Sequence, residues 1–307
     1  MCDITVDEHK GSSQGLSIKP FQQKVFRQRA IQKRIFRVTL RFNHRFTLPL
    51  AALAMGLGLA STAQAAAPQH VRIAVDVPYP PFEYRNADGE LEGFEIDLGN
   101  TLCERAKLDC EWVVQGWDGI IPGLLSRKYD AIMSSMRITP ARERQVLFTR
   151  PYAMSPKVWV ARRGSDISLD DPASLKGLSV GVQRGTTQDS YITQQYGDKL
   201  DVQRYATAAD VALDLESQRL DLAFLNYPVA LDALEIGSAD SDFVQVGPRI
   251  DRPESIFGKG NAIAVRPRDK DLAETFNQAL DSVYADGTFE TLMHQYFDYD
   301  LRPASRK

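Results

Sequence analysis

The chain is poor in the side chains that hold metals or carry out nucleophilic chemistry. It has three cysteines and four histidines in 307 residues, and beyond residue 65 only His70, His294, Cys103 and Cys110 remain. The two histidines lie far apart in sequence, so no metal site is expected. The twenty glycines never gather into a dinucleotide or phosphate-loop pattern. The nearest approach, "QRGTTQDS", is too short and too glycine-poor for one, and no cofactor is expected. No nucleophile–base set stands out either. Charge is absent from residues 46–65, yet the apolar run inside that stretch, Leu48 to Ala60, is shorter than the roughly 20 residues a spanning helix needs.

What charge there is falls unevenly. Residues 1–45 carry ten Lys/Arg against three Asp/Glu; of the chain's 37 and 40, this leaves 27 against 37 beyond residue 65, a net of −10. An acidic folded part argues against a nucleic-acid partner. The basic stretch before residue 46, the apolar run and the triplet Ala63-Gln64-Ala65 together read as a secretory signal peptide over 38–65, cleaved after Ala65. The short apolar run disfavours the alternative, a membrane anchor. Residues 1–37 do not fit in front of such a peptide and are read as a misassigned extension, with Val38 or Leu40 the expected initiator. In an exported protein the pair in "CERAKLDC", Cys103 and Cys110, is read as a disulfide from the end of a helix to the next strand, two structural thiols being the alternative.

From residue 71 short β-rich runs alternate with amphipathic helical patterns. "VRIAVD" reads as a strand and "FEIDLGNTLCERAKL" as a helix with Phe94, Leu98, Leu102 and Ala106 on one face. "EWVV", "WDGIIPGLLSRK" (a helix started by Asp118) and "DAIMSS" complete a β-α-β-α-β order. The order returns after residue 177 with "GLSVGVQ", "TTQDSYITQQY", "DVQRY", "TAADVALDLESQRL" and "DLAFLN". An architecture repeated without its sequence implies two separate α/β lobes. "GNAIAV" and the helical C-terminal stretch are expected to return to the first lobe. Parallel α/β sheets bind ligands at the carboxyl ends of their strands, so the post-strand segments are where a site belongs.

After the first strand come Asp76 and "VPYPPFEY", a Pro-bracketed turn whose Tyr79 and Phe82 offer a flat platform for an apolar or cationic group, aromatic packing under the loop being the alternative. After the third comes "MSSMRITPARER". Thr139 is a good N-cap and Pro140 a good first residue for a short helix, which puts Arg142 in its first turn, where a cation has the wrong sign for the helix dipole. A bound carboxylate reverses that cost, held by Arg142 with bidentate geometry and by the Ser135 hydroxyl. Arg144 reads as solvated surface, and Arg137 reads equally well as surface or site. In the second lobe Gly185 permits a close turn, Thr186 and Thr187 offer caps and N–H groups for an anion, and Asn226 reads as the cap of a helix starting at Tyr227.

Taken together, "GFEIDLGNTLCERAKLDCEW", "DGIIPGLLSRKYDAIMSSMRITPARERQVLFT", "VGVQRGTTQ" and "DGTFETLMHQYFD" resemble the periplasmic solute-binding proteins of polar amino-acid ABC transporters, especially those for lysine/arginine/ornithine and histidine. The resemblance implies an α/β fold of two lobes, with two parallel-type sheets and flanking helices. Lobe one would be 66–153 and 260–307, lobe two 158–250, and the hinge 154–157 and 251–259. It implies a monomer in the periplasm that closes around an amino acid and presents it to an inner-membrane permease. By position, Arg142 matches the arginine that holds the ligand carboxylate, with Ser134, Ser135, Thr186 and Thr187 around it. Tyr79 and Trp117 match the aromatics that sandwich the side chain. Asp76 and Glu95 match acids that favour a cationic end, with Gln188 nearby. Two positions depart from the pattern: Asn226 replaces the acid that pairs with the ligand α-ammonium, and Arg137 replaces a small hydroxyl residue. Either the ligand carries a second carboxylate or a substituted α-nitrogen, as opines do, or Arg137 points to solvent. Cyclohexadienyl dehydratases resemble the same proteins and stand as the enzyme alternative.

Overall fold

The computed structural model describes residues 69–306 apart from residue 172. The expected extension (1–37), the signal peptide (38–65) and the cleavage point lie outside the described residues. Every element named below lies within Gln64–Lys307.

The chain first builds β1 (His70–Val75), a hairpin of β2 (Tyr84–Arg85) and β3 (Leu91–Glu92), α1 (Phe94–Ala106), β4 (Asp109–Val114), α2 (Ile120–Leu125), β5 (Ala131–Ile132), α3 (Pro140–Glu143) and β6 (Leu147–Phe148). It continues through β7 (Lys157–Arg162), β8 (Ser179–Gln183), α4 (Thr187–Tyr196), β9 (Asp201–Tyr205), α5 (Ala208–Glu216), β10 (Leu222–Asn226), α6 (Tyr227–Ala233), β11 (Phe243–Ile250) and α7 (Glu254–Phe257). β12 (Ala264–Val265), α8 (Lys270–Ala285) and α9 (Thr288–Tyr296) close it.

These strands form two five-stranded sheets, ordered β4-β1-β5-β12-β6 and β11-β7-β10-β8-β9. Each has a parallel core in which the first strand of its β-α-β-α-β unit is central: β4-β1-β5 in one, β9-β8-β10 in the other. The repeated architecture is therefore one topology used twice, and in both lobes the strand ends on either side of the central strand open the crevice where such sheets take ligands. The sheets are mixed rather than purely parallel. β12 runs antiparallel between β5 and β6, and β7 runs antiparallel to β10 and β11. Both antiparallel additions occur where the chain passes between lobes, a crossing that needs no βαβ connection.

The C-terminal segment returns to the first sheet, as its pattern implied. α8 and α9 pack on α1, and the ring of Phe94 meets Phe289 and Phe297 edge-on at centroid distances of 5.7 and 5.3 Å. Residues 251–259, expected as a linking segment, contain α7, whose Ile256 and Phe257 are buried in the core of the second lobe with Trp159 and Phe224.

α1 ends at Lys107, a left-handed residue (φ 56°) whose N–H returns to the carbonyls of Cys103 and Glu104. That reversal brings Cys110 back beside Cys103, and a disulfide joins them across 6.2 Å between Cα atoms. A short closed loop of this size constrains the unfolded chain modestly. Replacing both cysteines by serine is expected to lower unfolding free energy by about 2 kcal/mol, read as a shifted urea midpoint, without altering ligand affinity.

Candidate ligand-binding site

The segments following β1, β4, β5, β8 and β10 converge on one cavity between the two sheets. Its walls have opposite electrical character at its two ends.

The cationic end starts from α3. Thr139 caps it, accepting the Arg142 backbone N–H at 3.4 Å, and Pro140 opens it as the sequence predicts. The helix start turns the Arg142 side chain inward, where it is buried. Its guanidinium donates to the carbonyls of Arg137 (3.2 Å) and Gly185 (3.5 Å) and stacks on the Trp117 ring at 5.0 Å. Arg137 is buried too, and its guanidinium donates to the carbonyl of Ser155 and to the Met154 sulfur, in the link between lobes. Lys157, the first residue of β7, donates to the same Ser155 carbonyl and to Asn226 Oδ1, both at 3.1 Å. Burial lowers the pKa of both arginines to about 10 and pushes the Lys157 ammonium well below its ordinary value, with Arg137 and Arg142 adding repulsion.

The anionic end starts from the turn after β1. The Asp76 backbone N–H donates to Ser134 Oγ (3.0 Å), and that hydroxyl donates to Glu83 Oε1 (2.7 Å), so the two post-strand loops of the first sheet lock together. The Asp76 carboxylate faces the second lobe, where Gln183 Nε2 donates to it at 2.8 Å. Burial raises the Asp76 pKa to about 6, against the opposing pull of the Gln183 and Trp117 hydrogen bonds. Glu83 is driven well above the carboxylate range by burial and by the neighbouring Glu95. The cavity thus pairs arginines at one end with carboxyl groups at the other, and Tyr79 and Trp117 stand in its wall.

Contacts run from lobe to lobe across the mouth. Trp117 Nε1 donates to the Gly185 carbonyl at 3.1 Å, and Arg184 donates twice to Asp118, at 2.6 and 2.9 Å. Asp118 does not start a helix as expected: a short 3-10 turn at Trp117–Gly119 precedes α2, and neither has a side-chain cap. Because Arg184 and Asp118 are both half-exposed, this latch is screened by water. Asp118→Asn is expected to change ligand affinity less than about fivefold in calorimetry, far below the effect of substitutions inside the cavity.

Residues 71–299 match the family model for bacterial extracellular solute-binding proteins, family 3. The chain belongs to that family. The L-arginine-binding protein of Pseudomonas aeruginosa is 40% identical to it over 250 residues, covering 81% of this chain and 95% of that protein. The lysine/arginine/ornithine-binding periplasmic protein of Escherichia coli K12 is 36% identical over 253 residues, covering 81% and 96%. Among solved structures, a periplasmic binding protein of Salmonella typhimurium with high arginine specificity aligns with a TM-score of 0.68 at 30% identity, covering 75% of this chain and 99% of the other.

In this solute-binding protein Asp76, Tyr79, Trp117, Ser134, Ser135, Arg137, Arg142, Thr186, Thr187, Gln188 and Asn226 all line the cavity. Glu95 does not. It is fully buried behind the wall, where Oε2 accepts the Ser135 N–H (2.7 Å) and Oε1 accepts the Ser135 and Tyr152 hydroxyls (2.8 and 2.7 Å). Ser135, held at φ 46°, is thereby committed to Glu95 and offers no free hydroxyl proton to a ligand carboxylate. Arg137 does not point to solvent, since its side chain is buried in the link; Arg144 is exposed, as expected. Asn226 occupies the cap position of α6 without capping it: its side-chain oxygen accepts from Ser155 Oγ (2.7 Å) and Lys157 instead. Thr186 does cap α4, accepting the Asp189 N–H at 3.2 Å, while the Thr187 hydroxyl donates to Gln188 Oε1.

Sequence reasoning missed three lining residues: Glu83, Lys157 and Gln183. Gln183 was within reach, being the last residue of β8, at the strand end where ligands bind. Glu83 was hidden in the turn that supplies Tyr79, and Lys157 begins an apolar run with nothing to mark it.

Proposed function

We propose that this chain is the extracytoplasmic substrate-binding component of an amino-acid ABC importer and that it binds a basic amino acid, arginine, lysine, ornithine or histidine, between its lobes. The observation that carries the reading is the polarity of the cavity. Arg142 at one end suits an α-carboxylate, Asp76 at the other suits a cationic side-chain end, and Tyr79 and Trp117 suit the chain between them. Export with cleavage after Ala65 puts a monomeric mature chain in the periplasm, and the closed lobes present it to an inner-membrane permease. A thermal-shift screen over the basic, neutral and acidic amino acids tests this, because a ligand that binds only the native state raises Tm. Basic amino acids are expected to raise it, and a response confined to neutral or acidic ones would sink the proposal.

The same reading makes the chain a binding protein rather than a dehydratase. Glu83, which lines the cavity and is held well above its ordinary range, accepts from Ser134, whose hydroxyl also supports the Asp76 backbone. A group whose oxygen is tied into the wall in this way supports the two loops instead of moving a proton on a substrate. Incubation with prephenate or arogenate is expected to leave both unchanged; turnover of either would replace this assignment.

A further inference from the structure

We infer that Lys157 is a carbamylation site: its side-chain amine takes up dissolved carbon dioxide, and the resulting carbamate supplies the anion that the cationic end of the cavity lacks. The inference goes beyond the amino-acid reading and concerns a buried lysine to which that reading gives no task. Lys157 lines the cavity and is 3% exposed. It donates to the Ser155 carbonyl and to Asn226 Oδ1, both at 3.1 Å. Those bonds occupy both hydrogens of a neutral amine and leave its lone pair as the one unused direction.

Burial and the repulsion of Arg137 and Arg142 push the Lys157 ammonium well below its ordinary value, which favours the free amine, the form that attacks carbon dioxide. The surroundings call for an anion. Arg137 and Arg142 are buried, and among the described residues no carboxylate pairs with either of them or with Lys157. Asp251 attracts Arg137 and Lys157 through space without forming an ion pair. The Nε of Arg137 is buried with no hydrogen-bond partner at all. Buried cations need a compensating anion, and buried donors need an acceptor. In the reaction the Nζ lone pair forms an N–C bond to carbon dioxide, one C=O π pair moves onto oxygen, and one N–H proton leaves to solvent, giving a carbamate that keeps a single N–H. The lost hydrogen orphans no acceptor. The Ser155 carbonyl still accepts from Arg137, and Asn226 Oδ1 still accepts from Ser155 Oγ. Because Lys157 and Arg137 share the Ser155 carbonyl, a carboxylate on Nζ lies beside the Arg137 guanidinium. It also gives an amino-acid ligand an acceptor for its α-ammonium, which stands one carbon from the carboxylate held by Arg142.

Carbon NMR of the purified, ligand-free protein in isotopically labelled bicarbonate tests this. A carbamate resonance is expected that disappears in Lys157→Met. Alkylation of the wild-type protein with a trialkyloxonium salt is expected to fix the carbamate as its ester on the peptide that holds Lys157, read by mass spectrometry. That mapping needs no variant and keeps the test open if Lys157→Met does not fold. In calorimetry, L-arginine is expected to bind wild type at least about 10-fold more tightly in saturating bicarbonate than in bicarbonate-depleted buffer, and Lys157→Met is expected to show no such difference. Absence of a carbamate on Lys157 in saturating bicarbonate overturns the inference, and so does an L-arginine affinity that ignores bicarbonate. The NMR and mapping readouts need no ligand, so failure of every basic amino acid to bind while the carbamate is present overturns the amino-acid reading and leaves the modification site standing.

Discussion

Arg142→Met removes ligand binding almost completely, with Kd rising by about 1,000-fold, while the unliganded protein becomes no less stable. Both halves follow from where the guanidinium sits. It is buried, its hydrogen bonds go only to the carbonyls of Arg137 and Gly185, and among the described residues it has no carboxylate partner. A desolvated cation of that kind costs the free protein stability, and the nearby Arg137 adds repulsion. Once a ligand carboxylate arrives, the same group supplies a buried ion pair whose loss costs on the order of 2–5 kcal/mol. Calorimetry reads the first effect and urea unfolding of the ligand-free variant reads the second. A variant that lost binding together with several kcal/mol of stability would show that Arg142 props up the fold instead of holding ligand.

Asp76→Asn weakens binding of a cationic ligand by about 30-fold near pH 7.5 and abolishes most of the pH dependence of affinity between about pH 5 and pH 7. In the wild-type cavity the Asp76 pKa stands at about 6, raised chiefly by burial. A cationic side chain binds the carboxylate form, so below about pH 6 binding must first release a proton. Affinity should therefore fall by up to tenfold per pH unit as the medium is acidified. Stability of the ligand-free protein moves the other way. The native state holds the Asp76 proton more tightly than the unfolded chain does, so the contribution of Asp76 is favourable at low pH and is lost as pH rises from about 4 to about 6. The Asn variant should gain stability relative to wild type across that window. An affinity profile that stays parallel in the two proteins would remove Asp76 from the ligand's cationic end.

The twice-used topology was legible because its signals are local. Strand, helix and strand follow one another with clean periodicity, as in Phe94, Leu98, Leu102 and Ala106 along α1, and Thr139-Pro140 marks the start of α3 wherever the chain later folds. β7 and β11 were not legible. β7 pairs antiparallel with both β10 and β11, across long sequence separations that no window of residues reports. The cavity divides along the same line. Asp76, Tyr79, Trp117 and Arg142 follow strands, and a strand end is a place the sequence can point to. Glu95 shows the limit: its position suggests the cavity, yet Ser135 and Tyr152 hold its carboxylate behind the wall. Whether a side chain faces a ligand or supports one that does depends on the partner it finds across the fold.

By itself, then, the sequence determined an α/β chain with two β-α-β-α-β units, an acidic folded part, and an arginine placed against a helix start. Only the tertiary structure decided what Arg137, Lys157 and Asn226 do. Residues 20 to 89 positions apart meet at one corner of the cavity, where the carbonyl of Ser155 receives two cations and, among the described residues, no carboxylate completes the set. Charge compensation is a property of the pairs that folding brings together, and the chain order holds no record of a pair that is missing.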